Sequence, residues 1–250
     1  MRTANPVLTD NTFSIRATTQ TDAMTMSGVV GKTAILLLLT LLSAGWVWVK
    51  FFKSTPALAA ESAAPWMMGG LIGGFILALF TAFKPTWAPL TAPVYALFEG
   101  LFLGGASALL EQSFPGIVVQ ATTLTFGTLF AMLAVYQSGW IQATEKFKIG
   151  IVAATGAIAI VYLVALALSY FGGIQLSFIY GNSWVGIGFS LVVIAIAAMN
   201  FILDFDFIEQ GVRRGTPKYM EWYAGFALMV TLVWLYIEFL RLLSKVRSRE

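Results

Sequence analysis

Seven long apolar runs decide what this chain can become. They lie at about 30–52, 65–83, 88–110, 115–138, 147–171, 183–208 and 217–246. Each meets the need of about 20 residues to cross a hydrocarbon core about 30 Å thick. Lipid offers no partner for backbone N–H and C=O groups, so runs of this length must close their hydrogen bonds internally, as helices. The chain therefore reads as an all-α integral membrane protein, a bundle of seven transmembrane helices. Composition agrees, with 58% hydrophobic and 11% charged residues against about 25% charged in an ordinary soluble domain.

This places one membrane domain at 30–246, between a polar tail rich in Thr, Ser and Asn at 1–29 and a short basic end at 247–250. The first run is too long for the apolar region of a secretory signal and is read as a span. Pro65, Pro115 and Pro217 are expected in first turns of helices, where proline loses no helical hydrogen bond. Gly69 with Gly73, Gly70 with Gly74 and Gly100 with Gly104 are spaced for close approach of helix backbones, read here as bundle packing rather than a dimer face. Tryptophans at 46, 48, 66, 87, 140, 184 and 222 lie near the ends of runs, where an aromatic belt forms at the membrane surface.

Basic residues set the orientation. Arg2, Arg16, Lys32, Lys84, Lys146, Lys148, Arg213, Arg214 and Lys218 fall on the side of the N-terminus, and only Lys50 and Lys53 lie in loops opposite. Nine against two in the loops favours the N-terminus in the cytoplasm and, with seven spans, the C-terminus outside; the basic residues Arg241, Lys245, Arg247 and Arg249 argue the other way, and a six-span or re-entrant last segment would bring both ends inside. The expected location is the inner (plasma) membrane. The net charge of +3 serves topology and does not indicate nucleic-acid binding.

The chain has no Cys and no His. Disulfides, thiol chemistry, His- or Cys-based zinc sites and Ser-His or Cys-His catalysis are excluded. Phosphate-binding and dinucleotide glycine loops and the HExxH metalloprotease motif are also missing, so no enzyme activity and no cofactor are expected. What remains chemically is a small set of acids at membrane depth. Acid there is costly and marks function by default.

Glu99 stands midway along the third run with no opposite charge within a helical turn; such a carboxyl must be protonated, paired to another helix or facing water. Asp204, Asp206 and Glu209 gather at the end of the sixth run. Two residues make about 200 degrees of helical rotation, which sends Asp204 and Asp206 to nearly opposite faces. Glu209 precedes Arg213 and Arg214 by about one turn and reads as a solvated helix end. Glu111 and Glu221 are close enough to helix ends to reach the interface, and solvation is their expected role. In the last run Glu238 and Arg241 share a face and are spaced to pair within the helix. Oxygen ligands of this kind suit protons, calcium or magnesium far better than zinc or copper.

Three short pieces carry a resemblance. Phe205-Asp206 ends the sixth run, Leu235-Tyr236-Ile237-Glu238-Phe239 lies in the seventh, and Phe98-Glu99-Gly100-Leu101 in the third. In this order and at these positions the chain resembles the Bax inhibitor-1 family of seven-helix membrane proteins, in its bacterial branch. The resemblance implies a fold with the last helix central and a pH-sensitive calcium leak. In that scheme Asp206 and Glu238 share protons and hydrogen bonds to close a pore, or hold calcium, with Glu99 in the ion path. Asp204 is a further candidate for that path, and Arg241 a candidate ion-pair partner of Glu238. Two departures are visible: Glu238 stands where the family has Asp, and 32 residues separate it from Asp206. Helix two supplies no basic partner for Asp206 except Lys84 at its end. The expected partners are the lipid bilayer and calcium or other cations. Two competing readings are a non-conducting regulator of a membrane protease or stress response, engaging a membrane-protein partner through the polar tail, and a proton-coupled transporter.

Overall fold

A computed structural model of the chain describes residues 23–55, 58–173, 176, 179 and 181–249; most of the polar tail, 1–22, lies outside them. Among the described residues, seven helices are long and apolar enough to cross a membrane. They are α1 (Met26–Lys53), α2 (Ala59–Phe83), α3 (Ala88–Ser113), α4 (Ile117–Gln137), α5 (Glu145–Gly172), α6 (Trp184–Arg213) and α7 (Met220–Arg247). A 3-10 turn, Pro85–Trp87, joins α2 to α3. No strand occurs among the described residues.

Local chemistry fixes the ends. Thr25 caps α1 by accepting a hydrogen bond from Gly28 N at 3.0 Å, so this helix starts four residues before the apolar run does, inside the segment expected to be tail. Thr144 caps α5 in the same way through Phe147 N at 3.3 Å. Both satisfy an amide that the helix leaves unpaired. The expected first-turn prolines are placed differently. The alanine-rich stretch Ala59–Ala64 is strongly helix-forming and starts α2 early, which leaves Pro65 inside the helix. Pro115 and Pro217 lie just outside, before α4 and α7. Pro89 and Pro93 are both accommodated in α3.

The chain divides into two compact units. Among the described residues, one comprises Gly116–Asp206 and the chain from Thr231 onward; the other comprises 23–115 and Phe207–Val230. Helices α6 and α7 each contribute to both.

In the second unit α3 packs against α1 and α2. Glycine makes these approaches possible. A Cβ at Gly100 would collide with the Thr40 carbonyl and Ser43 on α1, and one at Gly70 with the backbone of Phe98 and Phe102 on α3. Gly73, Gly74 and Gly104 face neighbouring helices in the same way, whereas Gly69 faces open space. Thr40 Oγ1 donates to Ala96 O at 3.1 Å, and Tyr95 meets Phe226 edge-on with ring centroids 4.9 Å apart. The first part of α7 is a buried stripe in this unit, with Met220, Tyr223, Ala224, Phe226, Ala227 and Met229 all inside. The aromatic belt has a cationic partner set: Lys50 lies over Trp46 and Trp66, Lys84 over Trp87, and Lys32 over Trp222.

Candidate functional site

In the unit built on Gly116–Asp206, three antiparallel segments run side by side, and two sets of side-chain contacts define their register. Thr231 Oγ1 of α7 donates to Asp204 Oδ2 of α6 at 2.7 Å. Lys245 of α7 donates to Ser190 Oγ of α6 at 2.9 Å. These contacts are fourteen residues apart on both helices, the signature of two antiparallel helices in step. Between α5 and α6, Lys148 meets Asp206 Oδ2 at 2.8 Å, and Asn200 Nδ2 donates to Thr155 Oγ1 at 3.0 Å. Those two contacts lie seven residues apart on α5 and six on α6.

Along this seam the polar side chains form successive rungs. Lys148 with Asp206 comes first, then Thr231 with Asp204, Thr155 with Asn200, a cluster on Glu238, and Lys245 with Ser190. From residue 206 to residue 190 of α6 the rungs cover about 24 Å at 1.5 Å per residue, most of a hydrocarbon thickness of about 30 Å. Lipid-facing positions of membrane helices are apolar, so polar contacts at successive levels are tolerated only between helices.

The Glu238 cluster is tight. Glu238 is 1% exposed. Its Oε1 accepts from the Tyr162 hydroxyl on α5 at 2.8 Å and from Arg241 Nη1 at 2.8 Å, and Arg241 Nη1 also donates to the Tyr162 oxygen. The guanidinium lies over the Tyr162 ring, 4.9 Å from its centroid. The second oxygen, Oε2, is buried with no hydrogen-bond partner among the described residues.

Asp206 and Glu238 are not brought together. Glu238 lies seven residues beyond Thr231, level with Ala197 of α6, nine residues from Asp206. That is about 13 Å along the axis, so the direct carboxyl contact that the resemblance implies is not formed, nor is a calcium position shared by the two acids. The reason is register: the contacts at Asp204 and Ser190 lock α6 and α7 in a frame that sets the two acids on different rungs. Each instead has its own cation, Lys148 for Asp206 and Arg241 for Glu238.

Lys148 is the partner that sequence reading missed. It was counted among loop lysines, yet it is 5% exposed. The capping by Thr144 starts α5 at Glu145 and puts Lys148 one turn in, on the face that meets α6. Only the spacing of Lys148 from Thr144 and Thr155 on a capped helix carried any signal of this.

The remaining acids divide between solvent and structure. Asp204 is fully buried and Asp206 half-turned away from it toward α5, as the 200 degree separation requires. Glu209 pairs with Arg213 one turn on, in the second unit. Glu99 is also in that unit, one turn beyond its hydrogen-bonding neighbour Tyr95, with its carboxylate against Gly74 of α2. Glu221 corrects an expectation. It is buried rather than solvated, and its Oε1 accepts from Thr25 N at 3.1 Å and Thr25 Oγ1 at 3.0 Å. A carboxylate over the first turn of α1 is favoured by the helix dipole. Met24 N donates to Thr216 O at 2.7 Å beside it, so residues 23–25 are strapped to the turn before α7.

Seven apolar helices with buried acids, each held by its own polar or cationic partners, define a multi-pass helical membrane protein with an ionisable interior. The family model for Bax inhibitor 1 like proteins matches residues 5–248, nearly the whole chain. The chain belongs to that family. No curated protein and no solved structure matches it.

Proposed function

We propose that this protein is a passive, pH-sensitive cation leak, with calcium the main permeant ion, controlled by protonation of Asp206 and Glu238. The observation that supports the reading is the set of polar contacts itself, with three carboxylates among three apolar helices, Asp204 meeting α7, Asp206 meeting α5 and Glu238 meeting α5. Neutralising either acid weakens the hold of its cation, since an ion pair in a low-dielectric interior loses most of its attraction when one partner is discharged. Lys148 or Arg241 is then free to move and the seam to open. The two acids act on separate rungs in this scheme, each through its own basic partner, rather than by sharing one proton. No enzyme activity and no cofactor enter it.

The test is calcium flux into dye-loaded liposomes containing the purified full-length chain, over a range of pH. A leak that changes with pH is expected, and Asp206→Asn is expected to alter that dependence; rates equal to empty liposomes at every pH would reject the reading. We place the protein in the inner (plasma) membrane, and the excess of basic residues in loops on the N-terminal side supports a cytoplasmic N-terminus. A reporter fused to the C-terminus is expected to be active outside and silent inside.

A further inference from the structure

Lys245 is a buried ammonium group with no carboxylate. It is 4% exposed, and its Nζ donates to Gly186 O and to Ser190 Oγ, both at 2.9 Å. It makes no ion pair among the described residues. The nearest acid in the file, Glu238, is already engaged by Arg241 and Tyr162. A lysine this close to a helix end has a four-carbon stem long enough to carry its charge out to water. Here the stem turns inward instead, and the charge sits against two neutral oxygens in the first turns of α6, where the helix dipole is itself positive. An uncompensated buried charge is costly, so the position needs a reason that stability does not supply.

Two hard oxygens facing one charge are a fragment of a cation-binding position, since carbonyl and hydroxyl oxygens are ligands of choice for small inorganic cations. We propose that Lys245 is a tethered cation: its ammonium occupies an oxygen-lined station at one end of the polar file and keeps free cations from passing there. Arg241, one turn back, is paired with Glu238, so the charge at this end is that of Lys245. The file is therefore closed by lysine at both ends, but unequally. Lys148 is paired with Asp206, whereas the Lys245 ammonium meets only neutral oxygens among the described residues and repels an incoming ion. This assignment rests on the cation-leak reading and adds its barrier.

The same liposome assay on the full-length chain separates the two ideas, using Lys245→Gln, Lys245→Arg and Ser190→Ala. Removing the charge with Lys245→Gln is expected to raise calcium leak at fixed pH by about tenfold, the effect of lowering a barrier by about 1.4 kcal/mol. Lys245→Arg is expected to stay within about twofold of the parent, because the charge remains. Ser190→Ala, which removes one anchor and leaves the lysine in place, is expected to give an intermediate rise and serves if Lys245→Gln does not fold. If the parent protein leaks in a pH-dependent way and neither Lys245→Gln nor Ser190→Ala leaks faster, the tethered cation is overturned and the leak reading stands. If none of the proteins exceeds empty liposomes, both are overturned.

Discussion

The two units solve the same problem, holding helices together where lipid removes the hydrophobic drive, by opposite means. The unit of α1, α2 and α3 relies on closeness: glycines at 70, 74, 100 and 104 let helices approach closely. The unit of α4, α5 and the paired stretches of α6 and α7 relies on polarity, with Lys148, Thr155, Tyr162, Asp204, Asp206, Thr231, Glu238 and Lys245 joined in a file. Close packing is stable and inert. The charged rungs, Lys148 with Asp206 and Arg241 with Glu238, differ in that each depends on the ionisation of its members.

The sharpest break of this comparison is at Lys148. Lys148→Met strands Asp206 without its cation, and breaking a buried ion pair from one side costs about 3–5 kcal/mol. The lower end is expected, because the Asp206 side chain keeps 21% exposure. Denaturant unfolding in detergent micelles measures this, and adding Asp206→Asn should restore most of the loss. A double variant no better than Lys148→Met alone would mean that charge pairing is not what holds this rung.

Next in size is the glycine face. Gly100→Ala forces a methyl group onto the Thr40 backbone and should cost about 1–3 kcal/mol, as overpacking does. Gly69→Ala, which points into open space, should leave thermal unfolding unchanged or slightly improved. Equal effects at the two positions would remove closeness as the organising device of that unit.

Smaller again is the strap at the start of α1. Thr25→Ala loses the helix cap and the donor to Glu221, and about 1 kcal/mol is expected. Faster limited proteolysis ahead of residue 26 would accompany it, and unchanged cleavage would show that the strap does not hold residues 23–25. The least effect belongs to Thr155→Val, which deletes the bond Asn200 makes to α5 and leaves its bond to Ile196 O of its own helix. Interhelical hydrogen bonds in membranes average about 0.6 kcal/mol, so the same unfolding assay should detect little. A loss as large as that of Lys148→Met would show that neutral rungs matter as much as charged ones.

Much of this was legible beforehand. Hydropathy period and length fixed seven helices because lipid allows no other backbone solution. Helical geometry separated Asp204 from Asp206, and the three-residue spacing placed Arg241 beside Glu238. The boundaries shifted where strong local signals, Thr25 as a cap and the alanines ahead of Pro65, outweighed the apolar pattern.

The sequence alone thus determined the class, the helix count, the short motifs that mark the family, and which acids lie at membrane depth. Only the tertiary structure decided who meets whom. Lys148 reaches Asp206 across 58 residues of chain, Tyr162 reaches Glu238 across 76, and Lys245 turns inward to Ser190 across 55. Each pairing depends on the register between helices, and register is a property of whole packed faces. No spacing along one helix encodes the level at which another helix will stop.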